Sequence, residues 1–295
     1  MTSFRVRHET VYSYARPVGF GEHRLMIRPR DSHVLRLNSA TLLVEPAATV
    51  RWSFDVFGNS VARLRFNAPA QSLRIVSELD VRRYFSSSTM LEIDADARNY
   101  PFVYSPADRI DLGGADRCHY PDPRGELVAY ARSFAPPAPI ATIDLLRTIN
   151  ASIRNSFSYA RRDDEGTQTP LETLARGGGT CRDFATLMVE VVRALGFGAR
   201  FVTGYLHDPA LDGAASGIVG GAATHAWLEI YLPGAGWIEF DPTNGLEGSE
   251  ALIRVAVTRD ASQAVPVSGN FIGAASDFLS LFVSVTVRQS ELADA

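Results

Sequence analysis

Lysine is missing from this chain: all 29 of its basic side chains are arginine. The absence reads first as a compositional bias and excludes no fold. Cysteine is almost as scarce. Cys118 and Cys181 are too few for a disulfide framework and lack zinc-finger spacing, and a single bridge between them is unsupported. No hydrophobic run approaches the length of a membrane span. The N-terminal stretch MTSFRVRHETVYSYARPV has no apolar core of a signal peptide, so a reducing cytoplasm is the expected location, with no membrane partner. There is no excess of positive charge either. A formal net charge of -4 argues against a nucleic-acid partner. The six histidines are scattered, and Asp163, Asp164 and Glu165 read as a solvated loop rather than a calcium site, so no metal and no cofactor is expected.

What is present is an ordinary globular composition, 46% hydrophobic and 21% charged, in a length that suits one large or two medium domains. Charge divides unevenly: residues 1–90 carry 13 arginines against 7 acidic side chains, whereas the remainder carries 16 against 26. The early segments have short-strand character. In VRWSFDVFGNSVARLRF, Val50, Trp52, Phe54 and Val56 alternate with Arg51, Ser53 and Asp55 before a Gly58-Asn59 turn. This pattern predicts a small antiparallel β domain over 1–90. Residues 91–141 are rich in Pro and Asp and read as an irregular connector with a short helix near 124–133. From 142 to 295 the chain reads as a second domain that starts with a helix bearing Leu146, Ile149, Ile153 and Phe157 on one face and ends in strands, the last being FLSLFVSVTVRQ. GAASGIVGGAA, 213–223, reads as a small-residue loop.

Three segments carry chemistry. In GGGTCRDFA, Thr180 and Asp183 form a capping-box-like pair, and Phe184, Leu187, Met188, Val191, Val192 and Leu195 follow helical spacing up to Gly196. A helix over about 181–195 therefore starts at Cys181. Free N–H groups and the helix dipole favour a thiolate there, Arg182 adds positive charge, and the Cys181 amide is placed to hold an oxyanion. The glycines would let a substrate backbone approach. The other reading of Cys181, a buried structural thiol in register with Phe184, stands beside this one. In ATHAWLEIYL, His225 shares a strand face with Trp227, Glu229 and Tyr231, opposite the aliphatic face. In GWIEFDPTNG, Asp241 ends the next strand, where it would serve as a turn residue or as the partner that fixes the tautomer of His225. Together the three supply a nucleophile, a base and an orienter.

These segments resemble the transglutaminase-like superfamily of bacteria: Gly-x-Cys-x-Asp at a helix start with Cys181 and Asp183, His225-Ala226-Trp227, and Asp241-Pro242-Thr243. VRHETVYSYARPVGFGEHRLMIRPR resembles the β domain that precedes the core in bacterial members, and RDASQAVPVSG resembles their C-terminal tail. Thr180, and GFGAR in place of a proline-containing stretch, depart from the family pattern and bear on loop shape. The resemblance implies an α+β fold: a papain-like core, with the cysteine helix packed on an antiparallel sheet, behind a small antiparallel β domain. It implies a Cys181-His225-Asp241 triad acting on an amide of a protein or peptide substrate through a thioester. Water would resolve that thioester in a peptidase or amidase, and an amine in a transglutaminase. A chain without lysine cannot cross-link itself through its own lysine side chains, which suits the latter. The alternative is a catalytically silent binding module of the same fold.

Register sharpens the expectation. His225 and Asp241 lie on one sheet face only if opposed residue numbers have an even sum, whereas a four-residue turn pairing Leu232 with Trp237 gives an odd one. The connection is therefore expected to hold an odd number of residues or a bulge, aided by Gly234 and Gly236.

Overall fold

The computed structural model describes residues 1–84, 91–160, 166–212 and 223–290. The acidic run at 163–165, and all but the last residue of the small-residue loop at 213–223, lie outside them. Six strands come first: β1 (Thr2–Phe20), β2 (His23–Arg28), β3 (Leu35–Glu45), β4 (Ala48–Phe54), β5 (Ser60–Phe66) and β6 (Ala70–Arg83). Five helices follow: α1 (Pro106–Leu112), α2 (Glu126–Arg132), α3 (Thr142–Ser156), α4 (Pro170–Arg176) and α5 (Cys181–Ala194). The later strands are β7 (Ala199–Leu206), β8 (Thr224–Leu232), β9 (Gly236–Asp241), β10 (Leu252–Thr258) and β11 (Phe278–Ser290).

The β layer is a sandwich of two antiparallel sheets. One runs β11-β1-β6-β3 and the other runs Val267–Ser268, β2, β5, β4. Alternation along β1 turns Phe4, Val6 and Tyr14 inward, and Tyr14, Leu25, Leu64, Leu73 and Ile75 close the space between the sheets. On edge strand β4 the alternating apolar face stays at the surface: Trp52 and Phe54 are 46% and 68% exposed. The Arg28 and Arg30 guanidiniums lie over their rings at 5.7 and 4.8 Å.

The last strand corrects the expected division of the chain. β11 was expected with the 142–295 core, but it pairs with β1 from Ser3↔Ser290 to Tyr14↔Phe278, and Val267–Ser268 pairs with β2. The β layer is therefore built from both ends of the chain. Apolar packing explains this: Val285 and Val287 fall on the inward face of β11, opposite His8 and Val6, and are buried. The connector is also more ordered than its composition suggests. It holds α1, whose Ser105 cap accepts from the Asp108 N–H, and α2, while Asn99–Tyr100 pairs with Ile140–Ala141.

The second half is α+β. A five-stranded antiparallel sheet runs Leu246–Glu247, β9, β8, β7, β10. Leu228, Ile230 and Phe240 on one face pack against Phe184, Leu187, Met188, Val191 and Val192 of α5, with Leu145, Leu146, Ile149 and Ile153 of α3 behind. The polar side of α5 is covered too. Glu190 binds Arg193 at 2.7 Å and accepts the backbone N–H groups of His119 and Tyr120 from the connector. The β layer meets this half through Phe4, Val6 and Met26 against Tyr205, Ile253 and Val255.

Burying a valine side chain contributes about 1.5–3 kcal/mol, and an unpaired buried carboxylate costs more than that. Val287→Asp is thus expected to lower the unfolding free energy by about 3 kcal/mol or more. Chemical denaturation measures it, and an unchanged midpoint would deny β11 its structural role.

Candidate active site

The start of α5 is held by one carboxylate. Asp183 accepts the Thr180 backbone N–H at 2.8 Å, the Thr180 hydroxyl at 2.9 Å and the Gln168 backbone N–H at 2.7 Å. Three donors offset the cost of burying it. Here the threonine hydroxyl donates to the carboxylate, where a standard cap would accept from the helix. The preceding glycines serve the chain itself. A Cβ on Gly178 would lie 2.6 Å from the Ser158 carbonyl oxygen, and one on Gly179 would lie 2.8 Å from Asp183 Oδ2. Gly177 closes α4 at φ 61°. Close packing of the chain on itself thus accounts for the run that was read as space for a substrate backbone.

Cys181 is the first helical residue and is 7% exposed, among Ala185, Phe201, Ala226, Ala261 and Ala264. Arg182, next to it, donates to the Ala261 and Ala264 carbonyls at 2.5 and 3.2 Å, and its guanidinium sits over Phe201 at 5.1 Å. The arginine therefore fastens the 261–264 turn against the thiol. That turn belongs to the RDASQAVPVSG stretch.

The β8–β9 hairpin supplies the rest. Its pairs run from Leu228↔Phe240 to Leu232↔Gly236, every sum is even, and three residues, Pro233 to Ala235, make the connection. Gly234 and Gly236 both have positive φ, 82° and 76°. His225 and Asp241 consequently share a face, as expected. The His225 Nε2–H donates to Asp241 Oδ2 at 2.8 Å, and both side chains are fully buried. Asp241 also accepts the Asn244 side-chain amide at 2.9 Å and the Thr243 backbone N–H at 2.9 Å. Burial works against a charged imidazole, but the Asp241 carboxylate and the Cys181 sulfur beside the ring outweigh it and raise the His225 pKa to about 10. Burial would raise the Asp241 carboxyl, and His225, Asn244 and Thr243 hold it below its usual range instead. The second ring nitrogen, Nδ1, is buried with no hydrogen-bond partner of normal geometry among the described residues, and the Cys181 thiol borders the ring.

The structure therefore brings Cys181, His225 and Asp241, from three separate segments, to one place. Sequence reasoning missed Asn244, three residues beyond Asp241, whose amide completes the carboxylate's shell; an asparagine in a Pro-containing turn was the available signal. It also assigned no role to Trp227, whose ring lies 6.0 Å from that of His225 at 26°. Gly204, opposite His225 in the β7–β8 ladder, leaves the room: a Cβ there would lie 2.7 Å from the indole. Among the described residues no group of three or more His, Cys, Asp or Glu side chains is arranged to hold a metal ion. Chemically, the arrangement can present a sulfur nucleophile to a carbonyl and shuttle one proton.

Residues 129–242 match the model of the transglutaminase-like superfamily, and residues 4–82 match the bacterial transglutaminase-like N-terminal region. Uncharacterized protein ML0607 of Mycobacterium leprae is 29% identical over 97% of this chain and 99% of its own. Uncharacterized protein Rv2569c of Mycobacterium tuberculosis is also 29% identical, over 90% of this chain and 86% of its own. The crystal structure of a protein named as a putative cysteine protease from Cytophaga hutchinsonii superposes with a TM-score of 0.72 at 20% identity, covering 99% of this chain and 92% of that one, which establishes a shared fold. No helix of the described residues is long and apolar enough to cross a membrane.

The ring's raised pKa sets a stability window. Protonated His225 contributes fully below the ordinary value of 6.5, and its contribution is lost as pH rises through about 10. The Asp241 contribution is present above its ordinary value of 3.8 and is lost in acid. Asp241→Asn is expected to remove most of the fall in melting temperature between pH 7 and 10, read by thermal denaturation. Parallel wild-type and variant profiles over that range would refute the assignment.

Proposed function

For a chain that belongs to the transglutaminase-like superfamily, we propose thiol-dependent acyl transfer at an amide of a protein or peptide substrate. The observation that carries this is the buried Cys181, His225, Asp241 constellation, in which the imidazole is hydrogen-bonded to a carboxylate on one side and borders the thiol on the other. Cys181 is the nucleophile. Its sulfur adds to the carbonyl carbon, forming a C–S bond, while its proton is held on His225. The backbone N–H of Cys181, at the helix start, donates to the developing oxyanion. His225 then passes the proton to the nitrogen, the C–N bond breaks and the amine leaves a thioester. Asp241 keeps the ring oriented and stabilises its charged form. In the second half-reaction water attacks the thioester carbon, His225 takes a proton from it, and the C–S bond breaks to release a carboxylic acid and the free thiol. An amine in place of water gives a new amide.

Hydrolysis is the preferred outcome, because water always competes for the thioester. A reducing compartment, the cytoplasm, belongs to this proposal as the place that would keep the free thiol reduced. The test is a screen of glutamine-containing peptides with and without a primary amine, read by mass spectrometry. Wild-type protein is expected to release ammonia or cleave the peptide, and the amine to appear in the product only if transamidation operates. Cys181→Ala is expected to keep the melting temperature and lose all turnover and any trapped thioester. Turnover retained in Cys181→Ala would overturn the mechanism, and a fully inert wild type across the screen would favour the silent binding module.

A further inference from the structure

A chain of side chains leads from the β layer to the ring of His225. Arg83 is the last residue of β6 and only 3% exposed. Its Nη2 donates to the Ser249 carbonyl at 2.9 Å and to Glu239 Oε2 at 3.3 Å. The other oxygen of Glu239 accepts the Trp227 indole N–H at 3.3 Å. Trp227 is fully buried and stacks on His225. Alternation on β8 and the even register of the hairpin put residues 225, 227, 239 and 241 on the same face, so the order of contacts follows from the strands themselves.

Arg83 is a buried cation, and a desolvated guanidinium is costly without a partner. Glu239 is in a similar position. It lies directly opposite Glu229 in the ladder, a pairing of like charges that is unfavourable unless cations intervene. Glu229 has two, Arg200 at 2.6 Å and Arg254 at 2.7 Å. Glu239 has Arg83, with Arg254 as a more distant charge. Burial and Glu229 push its carboxyl up to about 7, while Arg83, Arg254 and the indole N–H pull the other way. Glu239 thus sits where the loss of one cation decides whether it is charged at neutral pH.

We propose that Arg83 is a positioning residue for His225: it holds Glu239 as the charged acceptor of the Trp227 indole, and the indole backs the imidazole. This rests on the acyl-transfer reading and gives the β layer a part in the site. A neutral Glu239 weakens the indole's hydrogen bond and frees the ring to turn, and His225 loses the surface against which it is held.

Alkylation of Cys181 by iodoacetamide, followed against pH by peptide mass spectrometry with Cys118 as internal control, reads this without a known substrate. In the wild type Cys181 is expected to react faster than Cys118 at pH 6. At pH 8, where the wild-type Glu239 carboxylate is charged, Glu239→Gln and Arg83→Gln are each expected to slow Cys181 about tenfold, on the order of one lost charge-assisted hydrogen bond, and Glu239→Gln is expected to remove the step near pH 7 from its profile. Cys118 keeps its rate. The double variant is expected to react no more slowly than Glu239→Gln, because both act through one carboxylate, and Arg83→Lys to recover part of the rate. Folded single variants, checked by circular dichroism, that retain the wild-type profile would overturn the proposal, as would effects that multiply in the double variant. Should Arg83→Gln fail to fold, the isosteric Glu239→Gln decides alone. A wild-type Cys181 no faster than Cys118 would instead sink the acyl-transfer reading, and this inference with it.

Discussion

The hydrogen bond between His225 and Asp241 is the constraint on which the other features of the site depend, and it is a consequence of counting. Residue 241 reaches the face of residue 225 only because three residues, rather than four, join β8 to β9. With four, Asp241 would take the place of Phe240 beside Leu228 against α5, a buried carboxylate among aliphatic side chains. The turn is secured from outside as well as by its glycines. The Asp94 backbone N–H donates to the Pro233 carbonyl at 2.9 Å, and a Cβ on Gly234 would run into Glu92 and Asp94. Once the register is set, the carboxylate is affordable only because Thr243 and Asn244 join His225 in satisfying it.

The second organising group is Asp183, which does for the thiol what the hairpin does for the imidazole. It binds Thr180 at the helix start and Gln168 ahead of α4, so the position of Cys181 is set by a buried carboxylate with three donors. Gly179 must lack a side chain for that carboxylate to fit. The thiol and the ring are thus placed by two independent polar networks, one on a helix start and one on a sheet. They meet where α5 crosses the beginning of β8, with Ala226 beside Cys181.

Much of this was legible in the residues. The α5 stripe from Phe184 to Leu195, the Asp183 pairing, the two faces of β8 and the parity of the hairpin follow from period and spacing alone. What was not legible has a common cause. The membership of β11 in the first sheet is a contact between residues nearly the whole chain apart, and a clean alternation says that a strand exists without saying which neighbour it finds. Trp52 and Phe54 alternate as well as any core pair, yet they lie on edge strand β4. The apolar stripe of α5 was visible, but not that its polar side would also be buried, because that burial is supplied by the connector through His119 and Tyr120. Asn244 and Glu239 gain their roles from partners reached through folding rather than from their neighbours in sequence.

The all-arginine basic set has a structural expression whatever its origin. Arg193 makes four hydrogen bonds to four different residues: the Glu190 carboxylate and the carbonyls of Ala115, Ala199 and Arg259. One side chain on α5 thereby ties the connector, the start of β7 and the end of β10 to the helix that carries Cys181. Arg182 holds two carbonyls and the Thr167 hydroxyl, and Arg74 joins Glu9 to Glu45 across the first sheet. A guanidinium offers five donors in a rigid plane, whereas an ammonium offers three on a flexible stem and is more strongly hydrated. A lysine at 193, with three donors on a flexible stem, could reach at most three of these four acceptors and would lose the rigid plane that spans them. Joining segments distant in sequence at buried points is therefore work that arginine can do here and lysine cannot, and the placement of Cys181 depends on several such joints.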